Sequence, residues 1–381
     1  MMPIILLIST MLLFAGLLEH QRHQQRLKKI PIRIHINGTR GKSLLTRMIV
    51  DLFRYEGWAA AAKVTGEQPQ FYSSQTGWAM WRRIAPARIK ENLRFVKTAY
   101  LHHPKAIVVE NMALAPENQY AAETHMIQST VSIVTNIRED HLEVMGADRT
   151  RVGETLSRCI PQNGTLLIPE AELLPTIKKQ ANESENTIIT VPVSNQKNLR
   201  TLNVFDSSFA LLEQIKEHFH ISTESFDKTV TDWQRQLQPH HFLLPLPNTN
   251  SQQFLVNLFT CNDVQSAREL IHSLQQSETI HPPYDIILTC RGDRPLRTIA
   301  FLEWLGSSEY IYRLVLAGTV PKLAVRRIIH SSPPLKNAVS FSRRMNPHRI
   351  LSSLQHGTTY VLGLGNYVNT GERILDYLQG N

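Results

Sequence analysis

The residues Asn37-Gly38-Thr39-Arg40-Gly41-Lys42-Ser43 put two glycines, a lysine and a hydroxyl within one short stretch. That set suits phosphate binding. Glycines let backbone N–H groups close around an anion, a lysine neutralises it, and a serine hydroxyl beside the lysine is a good magnesium ligand. The spacing departs from the common nucleotide loop G-x-x-x-x-G-K-[ST], because Ile36 stands where its first glycine belongs. Context gives the match its meaning. Ile32, Ile34 and Ile36 alternate as a strand does. After Ser43, the residues Leu44, Leu45, Met48, Ile49, Leu52 and Phe53 form one stripe of an amphipathic helix, which Gly57 stops. Strand, glycine loop and helix in that order predict a phosphate site.

Other polar residues close apolar runs in the same way. "AIVVE" ends in Glu110, and "VSIVTN" ends in Asn136 and leads to Glu139, Asp140 and His141. "GTLLIP" and "NTIITVP" continue the pattern. Short apolar strands separated by helices predict an α/β fold with a mostly parallel sheet, whose ligands gather at the carboxyl ends of the strands. Glu110 is then a candidate second magnesium ligand, direct or through water. His141 is a less usual partner for magnesium, a candidate to reach a second ion or to orient a phosphate. Taken singly, Glu110 is as well read as a solvated strand-end carboxylate, and His141 as an ordinary satisfied histidine.

The elements that hold these residues occupy a chain of 381 residues, long enough for two domains with real cores. A net charge of +9 points to anionic partners: nucleotides, an acidic polymer, anionic lipid or nucleic acid. Three cysteines, Cys159, Cys261 and Cys290, lie far apart without a C-x-x-C pair, which fits a reduced compartment. Residues 1–20 are nearly all apolar ("PIILLISTMLLFAGLL"), and residues 21–30 carry Arg22, Arg26, Lys28 and Lys29. A basic flank after the apolar run predicts one membrane span with the remainder in the cytoplasm. A cleaved signal would carry its charge first and end at a small-x-small site; a buried core helix is the other alternative.

A stretch rich in Gln, Pro, His and Asn around 241–253 reads as a linker between a domain at 31–240 and a smaller α/β domain at 254–381. Strands of the second domain end in Asn262-Asp263 and in Arg291-Gly292-Asp293-Arg294. These charged ends suit a substrate site, and equally a surface ion pair. "WRRIAPARIKENLR", from Trp81 to Arg94, is a candidate contact for an acidic polymer or lipid, or a solvated helix face.

"NGTRGKS" resembles the loop of the Mur ligase superfamily, which lacks the first glycine of the common rule. With "VVENMA", "NIREDHLEVMG", "TCRGDR" and "GLGN" in order behind an apolar N-terminus, the chain resembles the ligase subunit of poly-γ-glutamate synthase, the PgsB/CapB type. The resemblance implies a Mur-ligase-like central domain, a C-terminal α/β domain and one N-terminal transmembrane helix. It implies an ATP- and Mg²⁺-dependent amide ligase: the γ-carboxylate of a glutamate chain end is phosphorylated, and the amine of the next glutamate attacks the acyl phosphate. By motif position Lys42, Glu110 and His141 would be catalytic, with Ser43, Glu110 and His141 at the metal. Asn37, Gly38, Thr39, Arg40, Gly41, Lys42, Ser43 and Asn136 would bind ATP. Asn262, Asp263, Arg291, Asp293 and Arg294 would meet substrate from a mobile second domain. Small membrane-embedded synthase and export subunits and an anionic membrane are the implied partners, with no nucleic acid.

Two departures stand out. Mur ligases generally carry a carbamylated lysine after the D-H motif, and Arg149 to Gly164 contains no lysine. The loop follows so soon after the apolar run that the small UDP-binding domain of cell-wall ligases is not expected, which disfavours UDP-linked substrates. Two rivals remain: a folylpolyglutamate-synthase-like ligase on a soluble substrate, and a membrane-tethered ATPase switch or motor that makes no amide bond.

Overall fold

A computed structural model describes residues 2–65, 69–83, 87–139, 141–192, 205–247, 253–261, 263–308, 311–336, 338–342, 346–354 and 358–380. The chain opens with helix α1 (Met2–Lys28), which meets the length and apolarity needed to cross a membrane over Ile4–Lys28. Residues 4–17 are exposed, and the last two turns are held. There His23 and Leu27 are buried, with Ile30 just beyond the helix. Arg33 donates from Nη1 to the carbonyls of Leu27 and Ile30 (3.2 and 2.8 Å), satisfying the helix end.

The first unit contains residues 2–192 and 206–233. Its strands are β1 (Ile32–Asn37), β2 (Ala60–Val64), β3 (Gln70–Ser73), β4 (Gly77–Met80), β5 (Ala106–Glu110), β6 (Val131–Val134), β7 (Thr165–Pro169) and β8 (Thr187–Val191). They lie in the order β4-β3-β2-β5-β1-β6-β7-β8, parallel except for the β2-β3-β4 meander. Helix α2 (Lys42–Tyr55) buries the expected stripe, including Leu45, Met48, Ile49, Leu52 and Phe53. Gly57 at φ +73 follows its end, in the left-handed conformation that commonly stops a helix. Helix α3 (Glu91–Tyr100) packs Phe95, Val96 and Ala99 on β2 and β5, beside Leu27 and Ile30. The sequence reading missed β2 to β4. "AAAAKV" has the composition of a helix, and its place between two strands comes from burial, not propensity.

The second unit contains residues 205 and 234–380. Its strands are β9 (Leu243–Pro245), β10 (Phe254–Asn257), β11 (Tyr284–Cys290), β12 (Ile311–Gly318), β13 (Val339–Ser342) and β14 (Tyr360–Leu364), ordered β13-β12-β11-β14-β10-β9. Ile286, Leu288 and Cys290 enter one core layer and Ile287 the other, so helices cover both faces. Residues 243–245, read from sequence as linker, instead form an antiparallel edge strand on β10. Pro245 tolerates that position because an edge strand has a side without ladder bonds.

Candidate active site at the phosphate loop

Strand β1 lies between β5 and β6, all three parallel, so their carboxyl ends sit side by side. Register sets the heights: Ile36 is level with Glu110, and Asn37 with Val134. The loop from Gly38 to Gly41 therefore rises between Glu110 on one side and Thr135-Asn136 on the other. Gly38 adopts φ +117, and a Cβ there would stand 2.3 Å from Thr135 Oγ1. Gly41, at φ +79, is the N-cap of α2. Both positions need glycine for conformation, and the first also for room.

Asn136 shapes this loop. Its Oδ1 accepts from Thr39 Oγ1 (2.6 Å) and from the Arg40 amide (3.0 Å), while its Nδ2 donates to the Arg40 carbonyl (3.0 Å). Thr135 Oγ1 donates to the same carbonyl at 2.6 Å. The sequence placed Asn136 against the nucleotide, but both ends of its amide are engaged by the loop, which it braces. Asn37 also differs from expectation. It is 2% exposed and turns beneath the loop, donating to Gln119 Oε1 (3.0 Å) and the Leu156 carbonyl (3.2 Å).

Lys42 folds back over the loop, its Nζ donating to the carbonyls of Gly38 (2.5 Å) and Thr39 (3.4 Å). At the head of α2 an anion would meet both this cation and the helix N-terminus. Ser43 Oγ donates to Glu110 Oε2 at 2.9 Å, and the same oxygen accepts from the Thr65 amide at 2.8 Å. A hydroxyl and a carboxylate oxygen this close, beside the phosphate loop, fit magnesium, which takes oxygen ligands and retains waters.

Behind Glu110 is a cluster the sequence reading missed. Lys63 Nζ, on β2, donates to Asn92 Oδ1 (3.0 Å) and pairs with Glu91 (3.5 Å). Glu91 also pairs with Arg83, which donates to the Thr65 carbonyl at 2.8 Å. Burial pulls the Lys63 pKa down from 10.5 to about 8, with Glu91 pulling back. One signal was legible: a lysine inside an otherwise apolar run. His141 heads the one-turn helix Leu142–Met145 at φ +49, its Nδ1 3.6 Å from Glu143 Oε1. Asp140, beside it, lies outside the described residues.

In the second unit Asp263 caps the helix Val264–Gln276, accepting from the amide (2.8 Å) and hydroxyl (2.7 Å) of Ser266. The carboxylate expected to meet substrate thus holds a helix end. Arg291 and Asp293 make a two-point ion pair (2.9 and 2.7 Å), and the Arg294 amide donates to the Arg291 carbonyl. Asn262 lies outside the described residues. The sequence missed Arg297, which donates to Asn366 Oδ1 at the end of "GLGN". Asn366 is 1% exposed and also bonds Thr289, tying the ends of β11 and β14 together.

Residues 243–381 match the family profile described as the poly-gamma-glutamate synthase CapB C-terminal domain. The chain is 30% identical to the capsule biosynthesis protein CapB of Bacillus anthracis over 312 residues, covering 79% of this chain and 66% of that one. It is 25% identical to the PGA synthase CapB of Bacillus subtilis (strain 168), covering 98% and 97% of the two. The chain belongs to the CapB family of poly-γ-glutamate synthases. A bifunctional folylpolyglutamate synthase/dihydrofolate synthase of Yersinia pestis, solved with AMPPNP and a Mn ion, shares the fold: TM-score 0.64 at 13% identity over 95% and 93% of the two chains. The Mur-ligase-like architecture expected from the loop is the one found. A CapB-family chain of this fold is an ATP-dependent amide ligase.

Proposed function

We propose that this chain extends poly-γ-glutamate at the Lys42–Ser43–Glu110 site. The γ-carboxylate of the chain end attacks the γ-phosphorus of ATP and ADP leaves. The amine of the next glutamate then attacks the acyl carbon, phosphate departs, and the amine loses a proton as the amide forms. Lys42 neutralises charge on the transferring phosphoryl group, and the amides at the head of α2 hold the phosphates. Ser43 and Glu110 would hold magnesium, whose chemistry is to neutralise the phosphates. Asn136 keeps the loop in its binding shape. His141 is a candidate for a further metal contact, and Arg291, Asp293 and Arg294 are candidate substrate contacts of the second unit. Helix α1 anchors the chain in the plasma membrane with the ligase in the cytoplasm, a reading supported by Arg22, Arg26, Lys28 and Lys29 behind the apolar run. Membrane-embedded export subunits are the proposed partners.

The observation that carries this reading is the 2.9 Å Ser43–Glu110 pair at the phosphate loop of a CapB-family chain. Membranes holding the chain and its partners, fed labelled glutamate, ATP and Mg²⁺, test it. Wild type should make polymer and turn over ATP only when glutamate is present, and Lys42→Ala should lose both. ATP turnover indifferent to glutamate, with no polymer, would establish a tethered switch instead.

A further inference from the structure

Helix α3 carries Lys90, Arg94 and Lys97 at spacings of four and three, with Lys90 at its N-cap. These positions form one face, diametrically opposite the buried Asn92, Phe95, Val96 and Ala99. The helix has one carboxylate, Glu91, and it is engaged by Lys63 and Arg83. Arg82 and Arg88 are exposed just ahead of the helix. Arg94 is fixed 4.2 Å over the Trp81 ring and bonded to the Arg82 carbonyl. Helix stability does not explain the arrangement, since cations at Lys90 and Arg88 oppose the dipole of the helix they precede.

The two ends of the stripe differ. At the first, Glu91 joins Lys63 and Arg83, and Arg83 reaches the Thr65 carbonyl, whose residue's amide bonds Glu110; this end therefore borders the ligase site. At the other, Tyr100 accepts from Lys29 Nζ at 3.2 Å, at the root of α1. Arg22 and Arg26 on α1 and Lys29 just past its end, again at spacings of four and three, continue the positive charge. Ten residues of helix separate the two ends, about 15 Å at the usual rise.

We propose that this stripe is a track along which the nascent poly-γ-glutamate chain runs from the ligase site to the membrane anchor. The proposal rests on the polymer-ligase reading above. A γ-linked glutamate chain carries one free carboxylate per residue, a linear anion matching a linear row of cations. A bilayer is a plane. Lipid contact would account for the cations at the root of α1, but not for Lys90 and Arg94 towards the catalytic edge; a row joining the two suits a chain.

The test uses the full chain in nanodiscs and fluorescent poly-γ-glutamate of one defined length. Lys90→Gln/Lys97→Gln should bind the polymer about tenfold more weakly than wild type, with a shallower salt dependence. In glutamate-fed membranes its product should be shorter. The comparison is Lys178→Gln/Lys179→Gln, an exposed pair on another helix of the same unit. It should bind polymer as wild type does. Unchanged melting temperatures establish that both variants fold. Equal weakening in both pairs would show that net charge alone attracts the polymer, and the track would be wrong. So would wild-type polymer binding in Lys90→Gln/Lys97→Gln combined with lost affinity for anionic vesicles, which would assign the stripe to lipid. Wild-type membranes that make no glutamate polymer would remove the ligase reading, and the track with it. A wild type that makes polymer beside a variant making it at the same length would remove the track alone.

Discussion

At the residue scale the site rests on few atoms. Glu110 Oε2 receives both Ser43 Oγ and the Thr65 amide, so removing the hydroxyl leaves the carboxylate with one described donor and takes away a metal ligand. Ser43→Ala should lower kcat by about 10²–10³-fold, the usual scale for a lost group that stabilises transition-state charge. Steady-state kinetics at saturating glutamate measures it, and a drop below threefold would speak against Ser43 at the metal. Lys63 gives a pH-dependent prediction. Between about pH 8 and 10.5 the folded chain has released a proton that the unfolded chain still binds. Lys63 therefore contributes stability that grows as pH rises through that window. Compared with Lys63→Met, wild type should gain about 3 kcal/mol between pH 7.5 and 10.5 in denaturant unfolding. A difference that stays flat would mean Lys63 titrates as it would in water.

At the element scale, β1 and α2 were legible because alternation and a helical stripe flank a glycine loop. Glu110 and Asn136 were legible as strand ends, yet the job of Asn136 was not. Which atoms an amide meets depends on β6 lying beside β1, a tertiary fact no local pattern carries. The same holds for Asp263, whose helix-capping bonds are local but whose sequence looks the same in either role. The meander β2 to β4 was hidden by alanines, and with it the environment of Lys63. Gly38 links these levels, since its φ of +117 and the 2.3 Å that would separate an added Cβ from Thr135 Oγ1 both forbid a side chain. Gly38→Ala should displace the loop and destabilise the first unit by about 1–3 kcal/mol. Isothermal titration with an ATP analogue should show nucleotide affinity lost; affinity kept would mean the loop does not hold the phosphates.

At the scale of the whole molecule, two α/β units and an exposed apolar helix were foreseen from composition, strand-end charges and the basic flank at 21–30. What the sequence left open was how the helix joins the rest. The last turns of α1 are seated by His23, Leu27 and Arg33 directly before β1, so the apolar helix leads straight into the strand that carries the phosphate loop. The central claim is that this loop activates a carboxylate instead of hydrolysing ATP for motion. Oxygen transfer tests it most directly. With both oxygens of the γ-carboxylate labelled as ¹⁸O, each amide formed should release one phosphate bearing a single ¹⁸O, its partner oxygen remaining in the polymer. Phosphate whose new oxygen comes only from water would contradict an acyl phosphate and the ligase mechanism built on it.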